Sequence, residues 1–137
     1  MTILHHTEYL EQLVKEGRLN PRHQSGTAVY HDPCELGRGL NQYDSSRTIL
    51  DKIVSLQIPK QERHEALCCG ESIAELAIRP AERVKIAAAA ARELCAGNPD
   101  QLITSCPLCK KTFAAVSPAK VKDIAELLAE ACRISKP

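Results

Sequence analysis

Aromatic side chains are scarce in this chain. Its 137 residues hold three tyrosines, one phenylalanine and no tryptophan. Tyr9, Tyr30, Tyr43 and Phe113 leave little to stack nucleobases or to form a platform for a sugar ring. An excess of one charge is lacking too. Eighteen basic side chains against 17 acidic ones give no electrostatic reason to bind nucleic acid or an anionic membrane surface. No apolar run approaches the roughly 20 residues that span a bilayer. Met1 to Leu10 carries His5, His6 and Glu8 where a signal peptide needs an apolar segment. The chain has no internal repeat, no low-complexity linker, no nucleotide-binding glycine pattern and no ferredoxin-type cysteine run. Its length suits one domain, residues 1–137, around a single core.

Cysteine, by contrast, is plentiful. Seven cysteines without a secretory signal point to reduced thiols in the cytoplasm rather than to a disulfide framework. Five of them fall in an unusual order. Cys34 closes His31-Asp32-Pro33-Cys34, a vicinal pair Cys68-Cys69 follows, and Cys106-Pro107-Leu108-Cys109 ends the set. The gaps are 33 residues (35–67) and 36 residues (70–105). Gathering thiols from three distant places costs chain entropy, which a group that binds them offsets, so a metal centre is expected.

The other two have a simpler explanation. Val84, Ala88, Ala91 and Cys95 are spaced by four, three and four, and Ala125, Leu128 and Cys132 by three and four. Each set marks one face of a helix, and free cysteine packs as a small apolar side chain, so Cys95 and Cys132 are expected in the core.

Periodicity and turn residues give a coarse map. Thr2–His5 reads as a short strand, Thr7 as the cap of a helix to Glu16, and Gly17 as its stop. The polar stretch from Leu19 to Gly26 is a loop, and Thr27–Tyr30 is β-prone. Asp44 is placed to cap a helix with Ile49, Leu50, Ile53 and Val54 facing inward. A strand is expected near the end of Ile58–His64. Pro80 suits the first turn of a helix through Leu94 that stops at Gly97. Gln101–Ser105 is another strand, Pro107 opens a short helix, and Val121–Cys132 forms the last one. Strands alternating with helices predict an α/β fold: a small, mostly parallel sheet flanked by helices. Ligands then gather where the chain leaves the carboxyl ends of the strands, the edge to which Cys34 and Cys106 are assigned.

Residue chemistry alone leaves several readings open. A thioredoxin-like dithiol at Cys106 and Cys109 accounts for the CxxC at a helix start but not for Cys34, Cys68 and Cys69. A structural zinc takes four ligands, as does a cubane cluster, so five thiolates leave one over. Five donors suit a larger or open iron–sulfur assembly. Hydrogen-bond donors near such a centre tune it, which makes His31, Arg38 and Ser105 candidates for that role. A loop histidine bonding a backbone carbonyl is an equal explanation of His31. Glu71, next to the vicinal pair, is expected to face solvent.

The cysteine order also resembles that of the cysteine-rich CCG domain. Tyr30-His31-Asp32-Pro33-Cys34-Glu35-Leu36-Gly37-Arg38 looks like its first cysteine segment, Cys68-Cys69-Gly70 like its namesake motif, and Ser105-Cys106-Pro107-Leu108-Cys109 like its last. His5-His6-Thr7-Glu8-Tyr9-Leu10 and Asp123-Ile124-Ala125-Glu126-Leu127-Leu128 look like its flanking elements. Relatives often follow CCG with glycines, whereas here Glu71-Ser72-Ile73-Ala74 follows. The resemblance implies a heterodisulfide reductase-like iron–sulfur subunit. In it Cys34, Cys68, Cys69, Cys106 and Cys109 hold a noncubane 4Fe-4S cluster, one iron carrying two thiolates. It further implies partner subunits with cubane clusters or flavin, and a disulfide or hydroxy-acid pathway as substrate. Zinc is the alternative metal, in a non-catalytic interaction module.

Overall fold

The computed structural model describes residues 1–71 and 74–133. The first helix, α1 (His6–Lys15), starts at a reciprocal cap. The His5 ring accepts the Thr7 amide, and the Glu8 carboxylate accepts the His5 amide at 2.8 Å. Residues 2–5 therefore form no strand, because His5 is committed to the cap. Thr7, expected as the cap, is instead buried in the first turn. The helix ends where expected, at Gly17 with φ +71°.

The other elements follow in chain order: β1 (Thr27–His31), α2 (Asp44–Ile53), β2 (Ser55–Gln57), α3 (Ala74–Ala77), α4 (Pro80–Leu94), β3 (Gln101–Thr104), α5 (Pro107–Ala114), β4 (Lys120–Asp123) and α6 (Ile124–Cys132). Four strands pair in the order β2-β1-β3-β4, all parallel. The chain thus has the expected α/β architecture. His31 stands opposite Thr104, so β1 and β3 end side by side at the centre of the sheet.

Alternation along the central strands feeds two cores. Ala28, Tyr30 and Ile103 face Ile49, Leu50 and Ile53 of α2 and Ile124, Leu127 and Leu128 of α6, with Val14 of α1 beside them. Val29 and Leu102 face Ala90, Ala91 and Leu94 of α4 and Phe113 of α5. Helices therefore cover both faces, as a parallel sheet requires. Each fully buried Leu, Ile or Phe contributes about 1.5–3 kcal/mol relative to exposure.

Several expectations are corrected. The strand sought in Ile58–His64 lies earlier, at Ser55–Gln57, directly after α2, and Arg63–Glu65 forms a single 3-10 turn. Asp44 is the first helical residue rather than the cap, and its carboxylate meets Arg63 at 2.9 Å. After α4 the residue with positive φ is Asn98, at 50°, not Gly97. The last helix starts late because Lys120–Asp123 is strand β4, and Asp123 caps α6 by accepting the Ala125 amide. The helix faces also turn out rotated. Val84 is 57% exposed and Ala125 is exposed, while Ala87, Ala90, Ala91 and Leu94 face inward on α4 and Ile124, Leu127, Leu128 and Ala131 on α6. Cys95 is nonetheless buried and Cys132 packs against the α6 core. Among the described residues, no helix is long and apolar enough to cross a membrane.

Candidate functional site

The paired ends of β1 and β3 release two cysteine segments from one edge. From β1 the chain passes Asp32-Pro33 to Cys34, which opens a π-helical turn over Glu35–Gly39. Glycine is required at position 37, where a Cβ would lie 2.7 Å from the Tyr43 ring. From β3 the chain passes Ser105 to Cys106, the cap residue of α5, and Cys109 is buried in the first turn of that helix.

The third segment comes from an irregular stretch, and side chains near the end of β1 tie it down. Asp32 is buried and receives both Arg47 guanidinium nitrogens, at 2.7 and 2.8 Å. It also accepts the Arg63 amide at 2.8 Å, while Arg47 reaches Glu62 at 2.8 Å. Such bidentate pairs fix geometry as well as charge. Arg38 donates to the carbonyls of Ala66 at 2.8 Å and His64 at 3.3 Å. The last tie is His31, 1% exposed, whose Nε2 lies 3.0 Å from the Leu67 carbonyl, next to Cys68. Burial pushes its pKa down to about 4, so the ring is neutral at pH 7. A carbonyl only accepts, so Nε2 carries the proton and Nδ1 accepts from the Thr104 hydroxyl at 3.2 Å.

Cys34, Cys69, Cys106 and Cys109 line one cavity of about 580 Å³. Cys68 adjoins Cys69 in sequence, and its sulfur accepts the Gly70 amide at 3.3 Å. Gly70 has φ +85°, and a Cβ there would approach the Arg83 carbonyl to 3.1 Å. The Cys69 and Cys109 sulfurs are 3.3 Å apart, and all seven cysteines are free thiols. Cys109 lies within hydrogen-bond reach of Cys69 and follows Cys106 by three residues on the first turn of α5. The Cys109 thiol beside them lowers Cys69 and holds Cys106 down at about 6, and is itself driven far up in turn. The Leu108 and Cys109 amides at the start of α5 add to the lowering at Cys106. Burial raises Cys34. Among the described residues, no three His, Cys, Asp or Glu side chains are arranged to hold a single metal ion.

The fold thus brings the Cys34, Cys68-Cys69 and Cys106–Cys109 segments to one edge and leaves Cys95 and Cys132 in packing. His31 and Arg38 act on the loop carbonyls. Ser105 lines the cavity, but its hydroxyl also joins a buried ring with Tyr30 at 2.5 Å and Ser46 at 3.0 Å. Glu71, expected in solvent, lines the cavity and pairs with Arg83 at 2.5 Å, because α4 brings Arg83 alongside. Ser72 and Ile73, in the stretch where the resemblance leads us to expect glycines, lie outside the described residues. Two further features depend on contacts between segments distant in sequence. The Asp32–Arg47 pair joins residues 15 apart with no periodic signature, although an acidic residue directly before Pro33-Cys34 was a hint. His5 lines the same cavity, a placement that only the turn of the chain into α1 reveals.

Comparison with known proteins gives a consistent picture. A family model described as a cysteine-rich domain, CCG, matches residues 28–114. The chain is 34% identical to the probable iron-sulfur-binding oxidoreductase FadF of Bacillus subtilis, across 93% of this chain and 20% of that protein. It is 28% identical to a subunit of the dihydromethanophenazine:CoB--CoM heterodisulfide reductase of Methanosarcina acetivorans, across 97% of this chain and 34% of the relative. It is 31% identical to EtfAB:quinone oxidoreductase of Syntrophomonas wolfei, across 92% and 20%. The chain therefore spans about a fifth to a third of the length of these relatives. No solved structure matches it significantly.

Proposed function

This chain belongs to the cysteine-rich CCG domain family, and on that premise we propose that it holds an iron–sulfur cluster and relays electrons within a larger oxidoreductase. Cys34, Cys68, Cys69, Cys106 and Cys109 are the ligands in this reading, and residues 1–137 act as one cysteine-rich unit. One observation carries it: cysteine segments more than 30 residues apart in sequence meet around one cavity. The donor set suits the group, since it consists of soft thiols, the ligands that iron–sulfur centres use. Five thiolates exceed the four of a cubane and suit a larger or open assembly; the family resemblance implies a noncubane four-iron centre. Zinc is the second reading, favoured by nothing beyond the same thiols.

When bound, the cluster supplies single-electron steps, which thiol–disulfide exchange alone does not. The protein's part is positioning and shielding. Asp32, Arg38, Arg47 and His31 hold the Cys68-Cys69 loop against the ends of the strands. The Gly70 amide donates to the Cys68 sulfur, and Pro33, Leu36, Leu40 and Pro107 give the cavity apolar walls that restrict water. His31 is spoken for at both nitrogens, so its role is to hold the loop rather than to move protons.

The relatives' names supply the context: oxidoreductases, one acting on the CoB–CoM heterodisulfide and one on quinone. The electron donor in this reading is a partner with cubane clusters or flavin, and the substrate lies in a disulfide or hydroxy-acid pathway. A dithiol mechanism is the competitor favoured by one feature, the depressed Cys106 beside Cys109. Assay of the chain with an artificial electron donor and a thiol disulfide separates them. The relay reading predicts little turnover. Rapid, iron-independent turnover that Cys106→Ser abolishes establishes the dithiol mechanism instead.

A further inference from the structure

His5 lines the cavity that also holds Cys34, Cys69, Cys106 and Cys109, although 28 residues separate it from the first of them. The two sides of its ring differ. Nδ1 is turned to α1, where it meets the Thr7 amide at 3.3 Å and the Thr7 hydroxyl at 2.8 Å. That hydroxyl in turn accepts from Ser45 at 3.2 Å, which leaves its own proton for Nδ1. Thr7 and Ser45 are both buried, so this chain of donors is fixed by packing. A ring nitrogen that accepts two donors carries no proton, and a neutral imidazole then carries it on Nε2.

The other polar groups on the cavity wall have different capacities. Carboxylates such as Glu35 and Glu71 only accept, and Glu71 is paired with Arg83. The Ser105 hydroxyl already lies within the Tyr30–Ser46 ring. We propose that His5 presents a fixed Nε2–H donor to sulfur held in this cavity, with the Thr7–Ser45 hydroxyl pair setting its tautomer. The donor role rests on the cluster reading above; the tautomer does not. Hydrogen bonds to the sulfurs of a cluster stabilise its reduced form and so raise its reduction potential. His5 is in this sense a positioning and tuning residue.

Two substitutions separate the cap from the donor. His5→Asn keeps an acceptor near the Nδ1 position and is a favourable cap, but places nothing where Nε2 stood. His5→Gln reaches toward the Nε2 position with an amide donor and gives up the cap. In anaerobic protein, His5→Asn should keep the melting temperature and iron content of the wild type yet shift the midpoint potential downward. His5→Gln should lower the melting temperature and hold the potential nearer the wild-type value. Nitrogen-15 correlation spectra of the metal-free chain should show His5 protonated at Nε2. An Nδ1-protonated ring, or an unchanged potential in iron-loaded His5→Asn, overturns the inference while leaving the cluster reading intact. A wild-type chain that takes up no iron overturns the cluster reading and the donor role together.

Discussion

The face of the sheet covered by α1, α2 and α6 is packed with large aliphatic side chains, Ile49, Leu50, Ile53, Ile103, Ile124 and Leu127 among them. The face covered by α4 and α5 is packed with alanines, Leu94 and Phe113, together with Cys69, Cys95 and Cys109. The first core contains none of the proposed ligands. The second includes two of the proposed ligands, so its packing and the chemistry of the cavity share atoms. This difference teaches where perturbations should travel: a change at the thiols loosens α4 and α5, whereas a cavity cut under α6 costs stability and spares the site.

Substitutions on the two faces should have opposite effects. Cys69→Ser or Cys109→Ser should abolish most cluster binding, read as iron per chain, while Leu127→Ala should retain the iron and lose about 2–5 kcal/mol of stability in denaturant titration. Iron loss in Leu127→Ala with normal folding at 25 °C contradicts the separation of the two faces.

Next in size is the tie between β1 and the loop before Cys68. Arg47→Met leaves Asp32 and Glu62 without their cation, and a partner stranded in this way costs about 3–5 kcal/mol. Hydrogen exchange in that variant should rise first at residues 62–69. Uniform protection shows that the loop is held by packing alone.

His31 gives the comparison a pH axis. Unfolded, its ring takes a proton below about pH 6.5; folded, burial delays this to about pH 4. Between those values the unfolded state binds more protons, so stability falls as pH drops from about 6.5 to 4, by about 3 kcal/mol in all. Above pH 6.5 the ring contributes no slope. His31→Gln should flatten this part of the metal-free chain's stability profile; an unaltered profile places the acid sensitivity elsewhere.

The smallest effects belong to the cysteines assigned to packing. Cys95→Ala and Cys132→Ala should each cost about 1 kcal/mol and leave iron content unchanged.

Much of this was legible from residues alone, for identifiable reasons. β1 and β3 carry β-prone residues bounded by Pro33 and Pro107, and Pro80 marks the start of α4 to the residue. β4 was missed because Lys120-Val121-Lys122-Asp123 is an edge strand whose charged residues carry no run of buried positions. β2 was misplaced because only three residues pair, directly after a helix whose own periodicity runs up to Val54. The order of the cysteines announced the site, and the strand reading put Cys34 and Cys106 on its edge. The clamp through Asp32 and Arg47 and the placement of His5 depend on contacts between segments, which no local pattern encodes.

Whether these five thiols hold an iron–sulfur cluster is decided by the metal and sulfide content of anaerobically purified protein. A cluster held by these thiols gives about four iron and four sulfide per chain, on the pattern of a four-iron centre. Both should be lost when any of Cys34, Cys68, Cys69, Cys106 or Cys109 is changed to serine. A colourless protein with one zinc per chain, or an iron content that Cys68→Ser leaves untouched, contradicts the cluster reading.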